Sequence, residues 1–203
     1  MLEAASGAVA STPQETRQRV LEAAVEALAE CGYGGTTTRS VARRAGVSQG
    51  ALQHYFRSRA DLCVSAMSLL VNRLSREFLL TVPDVEDPVR RFEAIVDRLM
   101  AVFSGPTFIA GLELRLAART DESLDCRLQE LDREVEGIFE DGAKEMLPEF
   151  SGRPGFDSLL QLTLASIRGV ALGHLGPDTG VRSDWTVVRL ALVDAAERLG
   201  RES

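Results

Sequence analysis

The chain has 203 residues, of which 45% are hydrophobic and 26% charged, and it carries a formal net charge of −7 at pH 7. This length allows one small domain and one larger core, and no apolar run approaches the roughly 18 residues that a membrane-spanning helix needs. The three cysteines, Cys31, Cys63 and Cys126, form no disulfide or metal-binding pattern, so we expect buried, reduced thiols in a cytoplasmic protein without metal or cofactor.

Residues 1–11 are small and polar, and we expect a disordered tail there. The stretch lacks a basic segment and is not expected to be a secretory signal. The first helix is predicted to begin after Thr12, because Pro13 at the first helical position and Glu15 three residues after the cap are typical of a helix start. Apolar residues then recur at helical spacing until the glycine-rich stretch 32–35 ends the helix.

Residues 36–59 predict two short helices joined by a tight turn. The predicted caps are Thr37, with Thr38 as an alternative, and Ser48. Gly46 lies between the two helices, where a reversing chain often needs a residue that tolerates positive φ. The apolar positions are spaced so that both helices can share one small core, which predicts a helix-turn-helix.

The remaining faces of these helices are polar, aromatic and cationic. No acidic residue lies between Glu30 and Asp61, whereas five arginines do: Arg39, Arg43, Arg44, Arg57 and Arg59. A local cationic patch on an acidic protein is typical of binding to DNA phosphates through one end of the molecule. The alternative is a solvent-exposed basic helix face that binds nothing.

The second helix of the pair is predicted to enter a DNA major groove. Gln49 lies in its first turn and is the candidate base reader, because glutamine can make paired hydrogen bonds to adenine. Gly50 would permit a close approach of the backbone to DNA, or would only relieve crowding between helices. Ala51 could contact a thymine methyl group, and the Ser48 hydroxyl could bind a phosphate in addition to capping the helix.

These residues resemble the DNA-binding segment of the tetracycline-repressor (TetR) family. The positions that carry the resemblance are Thr36-Thr37, Val41-Ala42, Ala45-Gly46-Val47-Ser48, Gly50, Leu52, Tyr55-Phe56, Ser58-Arg59 and Leu62. The resemblance covers roughly residues 14–65 and implies that Tyr55 binds a phosphate. Two positions depart from the pattern, since Gln53 replaces a phosphate-binding tyrosine and Arg59 replaces a lysine.

The predicted DNA-binding residues are therefore Thr37, Thr38, Arg39, Ser48, Gln49, Gly50, Ala51, Gln53, His54, Tyr55, Arg57 and Arg59. His54 is either an imidazole that faces DNA or a helix-surface residue without a role. Arg17, near the start of the first helix, is either a phosphate contact or a solvated side chain. No residue is predicted to be catalytic.

Ser58 and Asp61 predict the start of a long helix that continues to about Thr81, roughly 30 Å in length. This helix would connect the DNA-binding unit mechanically to the rest of the chain. Further helices are predicted over residues 88–103, 107–119, 121–146, 158–175 and from 185. The predicted fold class is all-α, with a three-helix helix-turn-helix domain at residues 12–60 and a helical ligand-binding and dimerisation domain at residues 61–203.

Residues 158–175 are apolar nearly all round, and a helix of this kind must be covered on every side. A domain this small cannot bury all of this surface itself, so we expect a second subunit to bury the rest. The resemblance implies that the last two helices form a four-helix bundle in a homodimer. A membrane is the alternative cover, but Arg168 and His174 interrupt the apolar surface. The predicted dimer interface consists of Leu160, Leu164, Gly169, Ala171, Gly173, Trp185, Val188, Leu192 and Ala195.

The larger domain exceeds what dimerisation of a small DNA-binding unit requires, and the resemblance implies that it binds a small-molecule effector. The candidate pocket residues are Val96, Met100, Phe103, Phe108, Leu112, Arg115, Ile167 and Arg168, with Glu113 as a further polar anchor. An ordinary core position is the favoured interpretation for each apolar member of this set. A structural ion pair with an acidic residue is the leading explanation for Arg168.

The sequence thus predicts a homodimeric repressor that binds a palindromic operator in double-stranded DNA and is released by an unidentified small molecule. Its two reading helices would lie about 34 Å apart, one turn of DNA. A regulator without a small-molecule ligand is the first alternative. The second is an α-helical enzyme with a helix-turn-helix, but the sequence has only two histidines and no glycine-rich phosphate loop or nucleophile motif.

Overall fold

The computed structural model describes residues 12–81, 85–175 and 184–201, and this part of the chain contains nine α-helices and no strand. The helices are α1 (Pro13–Gly35), α2 (Thr38–Ala45), α3 (Gln49–Tyr55), α4 (Arg59–Leu80), α5 (Pro88–Phe103), α6 (Pro106–Ala118), α7 (Glu122–Met146), α8 (Phe156–Gly173) and α9 (Trp185–Arg201). The all-α prediction is confirmed. The tail predicted at residues 1–11 lies outside the described residues.

Side-chain caps start the helices where the sequence predicts them. The Thr12 hydroxyl accepts from the Glu15 N–H at 3.2 Å, and the Glu15 carboxylate accepts from the Thr12 N–H at 2.7 Å, which is a complete capping box. Thr37 and Ser48 likewise accept from the backbone N–H three residues further on. Thr37 and not Thr38 is therefore the cap of α2.

Three glycines among the described residues have positive φ, and two of them, Gly32 and Gly46, change the direction of the chain around the helix-turn-helix. Gly46 ends α2 with φ 66° and ψ 34°, the left-handed conformation predicted for the turn. Gly32 has φ 63° and ψ −176° inside α1, so the helix is broken there although it continues to Gly35. The glycine-rich stretch therefore contains a break followed by a last helical segment, and not the simple helix end that the sequence predicts.

The apolar side chains form two cores. The first contains buried residues of α1 to α4 together with Ala110 and Leu114 of α6 and the first half of α7. The second contains buried residues of α5, α8 and α9 together with the end of α7. Because Ala60 and Leu62 are both buried in the first core, the predicted domain boundary between residues 60 and 61 does not coincide with a break in packing.

The three cysteines differ in exposure. Cys63 is fully buried on α4, as predicted, whereas Cys31 and Cys126 are exposed, so the prediction is wrong for these two. Cys126 lies two residues after the buried Leu124 on α7, and helical periodicity turns it away from the core. Cys31 lies on the exposed side of α1, immediately before the break.

Helix α8 is not covered all round within one chain. It buries one face in the second core through residues such as Leu159 and Ile167, while Leu162 and Leu172 are 51% and 50% exposed. On α9, Val187 and Leu190 are 64% and 57% exposed. No single helix among the described residues meets the length and hydropathy needed to cross a membrane, although α5 and α6, bent by 60°, meet them as a pair.

The exposed apolar surface differs in part from the predicted dimer interface. Ala171 and Leu192 are each only 2% exposed and pack inside the second core, so their assignment to an intersubunit surface is wrong. Leu160, Leu164, Trp185, Val188 and Ala195 are half-buried against the same core. Gly169 and Gly173 are exposed.

Substitution of Gly46 should isolate the cost of its backbone conformation. Space around Gly46 is open, because a Cβ there would meet no heavy atom within 4 Å, so Gly46→Ala should destabilise the fold by about 1 kcal/mol through backbone strain alone. Gly50 has equally open surroundings but lies in α3, and Gly50→Ala should stabilise by about 0.5 kcal/mol. Urea unfolding measures both, and equal effects of the two changes would contradict strain at Gly46.

Candidate nucleic-acid interface

Helices α2 and α3, here called the reading unit, are held by the side chains that they bury in the first core. Val41 and Leu52 have no exposed surface, and Phe56 is 2% exposed at the end of α3. The Val47 N–H donates to the Ala42 carbonyl at 3.0 Å across the turn. Because the inner faces are fixed in this way, the opposite face of α3 is presented to solvent in a defined orientation.

The solvent face of α3 carries the residues that the sequence assigns to DNA. Gly50, Gln53 and His54 are exposed, and Ala51 and Tyr55 are half-buried. The rings of His54 and Tyr55 meet edge to face, with centroids 5.4 Å apart. A Cβ at Gly50 would contact nothing, so this glycine does not relieve crowding between helices, whereas its open surface suits a close approach by another molecule.

Gln49 connects the two helices of the reading unit. Its Nε2 donates to the Thr38 hydroxyl at 3.0 Å, while its Oε1 is buried without a hydrogen-bond partner among the described residues. The side chain is therefore held against α2 in the free protein. A buried amide with one unsatisfied polar atom is uncommon and identifies a position where a further partner would be favourable.

Two of the five arginines in the cationic patch are engaged within the chain. The Arg44 guanidinium pairs with both carboxylate oxygens of Glu30, at 2.8 and 2.5 Å, and with Glu26 at 3.3 Å. These hydrogen bonds raise the pKa of Arg44 and lower the pKa of Glu30. Glu26 and Glu30 are four residues apart on one face of α1, which the sequence alone could show, but the arginine that they face depends on how α2 packs.

Arg59 is the second engaged arginine. Its guanidinium lies over the Tyr33 ring, 3.9 Å from the centroid, and donates to the Tyr33 carbonyl. This corrects its assignment as a phosphate contact, because the guanidinium already binds Tyr33, the residue that follows the break in α1.

Three arginines of the patch remain available to an external anion. The side chains of Arg39, Arg43 and Arg57 are exposed and pair with no residue in the described part of the chain. Arg39 and Arg43 are four residues apart and share one face of α2. Arg43 is absent from the DNA contacts predicted from the sequence, and the geometry adds it. Arg17 is exposed beside α3, with its guanidinium 5.5 Å from the centre of the Phe56 ring.

The candidate effector residues do not form an open pocket. Val96, Met100 and Ile167 are at most 6% exposed and belong to the second core, as does Phe103, while Phe108 and Leu112 are half-buried. The apolar candidates are thus packed mainly among themselves and their neighbours. Within the described residues, no group of acidic, histidine or cysteine side chains could hold a metal ion.

Two of the polar residues proposed as anchors, Glu113 and Arg115, contact residues outside the candidate pocket. Arg115 is 62% exposed and pairs with Asp132 of α7 at 2.5 Å, so its assignment to a pocket is wrong. Arg168 is exposed on α8 with its guanidinium 5.9 Å from the Phe103 ring, so it does not need a buried ion pair. The Glu113 carboxylate accepts from the backbone N–H of Tyr33 at 2.7 Å.

Comparison with known proteins agrees with this geometry. Residues 20–66 match the bacterial regulatory proteins of the tetR family. An uncharacterised helix-turn-helix transcriptional regulator of Mycobacterium tuberculosis is 28% identical over 154 residues, which cover 76% of this chain and 75% of the relative. The crystal structure of a transcriptional regulator from Rhodococcus sp. Rha1 is 26% identical, with a TM-score of 0.65 over 90% of this chain and 95% of that chain.

A third similarity concerns the fold alone. The transcriptional regulator FadR from Bacillus subtilis, solved in complex with stearoyl-CoA, is 16% identical, with a TM-score of 0.61 over 92% of this chain and 98% of that chain. The segment that matches the tetR family, residues 20–66, supplies most of the buried residues of the first core and contains the exposed face of α3. Residues 20–66 therefore form a helix-turn-helix domain of the tetR family, in a chain that is similar over most of its length to a helix-turn-helix transcriptional regulator.

Proposed function

We propose that the protein is a homodimeric repressor that binds a palindromic operator and is released by a small-molecule effector. The observation that carries the proposal is the reading unit, which combines an exposed face of α3 with three exposed arginines that have no ion-pair partner among the described residues, in an otherwise acidic protein. Such a surface matches a major groove flanked by phosphates.

The contacts with DNA divide into phosphate binding and base reading. Arg39, Arg43 and Arg57 are proposed to bind phosphates, because their side chains are exposed and have no ion-pair partner in the part of the chain that the structure describes. Gln49 and Ala51 are proposed to meet base edges where Gly50 allows the backbone to come close. On binding DNA, the Gln49 amide would either exchange its hydrogen bond with Thr38 for one to a base, or accept a hydrogen bond from a base through the oxygen that has no partner among the described residues.

The phosphate contacts also include polar side chains around α3. The Ser48 hydroxyl, which caps the helix, and the Tyr55 hydroxyl are proposed phosphate ligands, with Gln53 and His54 exposed beside them. Thr37 is exposed at the start of α2 and contributes through the N-terminal end of that helix.

The dimer is proposed to form through the exposed apolar surface of α8 and α9. Leu162 and Leu172 on α8 and Val187 and Leu190 on α9 are about half exposed or more in the single chain. Burial of these side chains in a partner subunit removes apolar area from water, and Gly169 and Gly173 would allow close helix approach. This set replaces Ala171 and Leu192, which the chain itself already buries.

Effector binding is proposed to separate α5 from α8 within the second core. The FadR structure in complex with stearoyl-CoA supports the presence of an effector, because that protein has a similar fold and binds a small molecule. Helices α4, α6 and α7 contribute to both cores, so an effector that expands the second core would displace helices that hold the reading unit. The effector must bind the two dimer geometries with different affinity to cause release.

A regulator without a small-molecule ligand is the second candidate, and the close packing of Val96, Met100 and Ile167 favours it. Thermal unfolding of the pure protein with a panel of fatty acids and acyl-CoA thioesters separates the two candidates. A concentration-dependent rise in unfolding temperature supports an effector, whereas no rise across the panel supports the second candidate.

The proposal as a whole is tested by selecting bound DNA from a random pool. A palindrome with half-sites about 10 base pairs apart is expected, because two reading helices must reach successive major grooves. Selection of no sequence, or of a single asymmetric half-site, would contradict the proposed dimer on DNA.

Two neighbouring arginines provide a matched comparison of phosphate binding. Arg43→Ala should weaken operator binding and reduce the slope of log affinity against log salt by about 1 for each half-site, because it removes a phosphate contact. Arg44→Ala should leave that slope unchanged, because Arg44 pairs with Glu26 and Glu30. Titrations at several salt concentrations measure both, and equal slopes for the two variants would contradict the distinction.

The difference in unfolding temperature between the wild type and Arg44→Ala should depend on pH. Arg44→Ala should lower the unfolding temperature at pH 7, because the pair with Glu30 is lost. The Glu30 pKa lies below 4.5 in the folded protein, so its contribution is present above pH 4.5 and is lost as the pH falls through the folded pKa. The unfolding temperatures of the two proteins should therefore converge below pH 4.5.

A charge placed on the proposed dimer surface should separate the subunits. Leu190 is 57% exposed on α9, and Leu190→Glu should convert a dimer to a monomer and weaken operator binding at least about tenfold, because a buried carboxylate would lack a partner. Leu116 is 65% exposed on α6, away from this surface, and Leu116→Glu is the control. Light scattering gives the mass, and a dimeric Leu190→Glu variant would contradict the assignment.

A further inference from the structure

The break in α1 is occupied by a side chain from α6. At Gly32 the backbone leaves the helix with φ 63°, and the next N–H, that of Tyr33, donates to the Glu113 Oε2 at 2.7 Å. A Cβ at position 32 would overlap the Glu113 carboxylate. The glycine therefore supplies both the positive φ and the space in which the carboxylate lies.

The same peptide is held from α4. The Arg59 guanidinium donates to the Tyr33 carbonyl and stacks on the Tyr33 ring at 3.9 Å. Tyr33 is only 9% exposed, and burial raises the pKa of its hydroxyl. One residue thus receives a directional contact from α6 on its N–H and another from α4 on its carbonyl.

The residues after Tyr33 lead directly into the reading unit. Thr36 is fully buried, its hydroxyl donates to the Gly32 carbonyl at 2.7 Å, and its N–H donates to the Tyr33 carbonyl at 3.2 Å. The next residue, Thr37, caps α2, and Thr38 of α2 contacts Gln49 of α3. An unbroken series of contacts therefore joins Glu113 to the first turn of the reading helix.

We propose that Glu113 is a positioning residue for DNA binding, which fixes the orientation of the reading unit relative to α6. The buried contacts between α6 and the first core are made by Ala110, Leu114 and Ala118, whose apolar surfaces fix no single position along the helix. A charge-assisted hydrogen bond is directional and defines one position.

Helix α6 also reaches the second core through Phe108, five residues before Glu113 and about 7.5 Å away along the helix axis. A displacement of α6 in the second core would therefore stretch or break the contact with Tyr33. Through Glu113, the orientation of the reading unit therefore depends on the position of α6 in the second core. This inference rests on the DNA binding in the proposed function, but not on the identity of an effector.

Two substitutions at Glu113 test the inference, with Arg115→Ala as the control on the same helix. Glu113→Ala removes the acceptor and should weaken binding to the selected operator at least about fivefold. The reading unit would no longer have a fixed orientation in the free protein, and DNA binding would have to supply the free energy of ordering it. Glu113→Gln keeps an oxygen acceptor and should restore affinity to within about twofold of the wild type. Arg115→Ala breaks only the surface pair with Asp132 and should bind as the wild type does.

Hydrogen exchange reports the contact itself without DNA. The Tyr33 amide should exchange at least about tenfold faster in Glu113→Ala than in the wild type or Glu113→Gln, at a temperature where all are folded. Persistent protection in Glu113→Ala, an unchanged or higher affinity of that variant, or an equal loss in Glu113→Gln would overturn the inference. Failure of the wild type to bind any DNA would instead overturn the proposed function.

Discussion

The packing of α1 beneath the reading unit is the constraint on which the rest of the structure depends. Helices α2 and α3 have eight and seven residues, and helices of this length are not stable alone in water. Their order comes from the side chains that they bury in the first core, above all Val41, Leu52 and Phe56. The exposed surface of α3 is thus as rigid as the core behind it.

The charges of the reading end are divided between internal and external roles. Arg44 of α2 and Arg59 of α4 both bind the C-terminal end of α1, through Glu30 and Tyr33 respectively. Arg39, Arg43 and Arg57 keep their charges in solvent. A count of arginines overstates the charge available to DNA, because the acidic residues that neutralise Arg44 come from outside the basic segment. The tight apposition of α1 and α2 decides which arginine is neutralised.

The two cores share α4, α6 and α7, so the molecule is not a DNA-binding domain attached by a single connecting helix. Helix α6 contributes Phe108 to one core and Leu114 to the other. Two packed cores joined by rigid helices respond to strain by shifting whole helices, since close-packed interiors do not deform gradually. A signal from the second core would therefore reach the reading unit through several helices at once.

The sequence by itself determined the features that depend on local chemistry. Caps at Thr12, Thr37 and Ser48, the left-handed Gly46 and the extent of most helices follow from hydrogen bonds and backbone angles within a few residues. The amphipathic spacing of α2 and α3 was equally sufficient to predict which of their faces is buried. These features are local, so one sequence without coordinates contains the information that they require.

Only the tertiary structure decided which distant groups meet. Glu113 lies 80 residues from Tyr33 in the chain, and Asp132 lies 17 residues from Arg115, so neither partner can be identified from spacing. The apolar patterns of α8 and α9 did not show which of their residues are buried within one chain, because this depends on how α5, α8 and α9 pack together. Ala171 and Leu192 are buried while Leu162 and Leu190 are exposed for that reason, since burial is a property of the assembled helices and not of one helix.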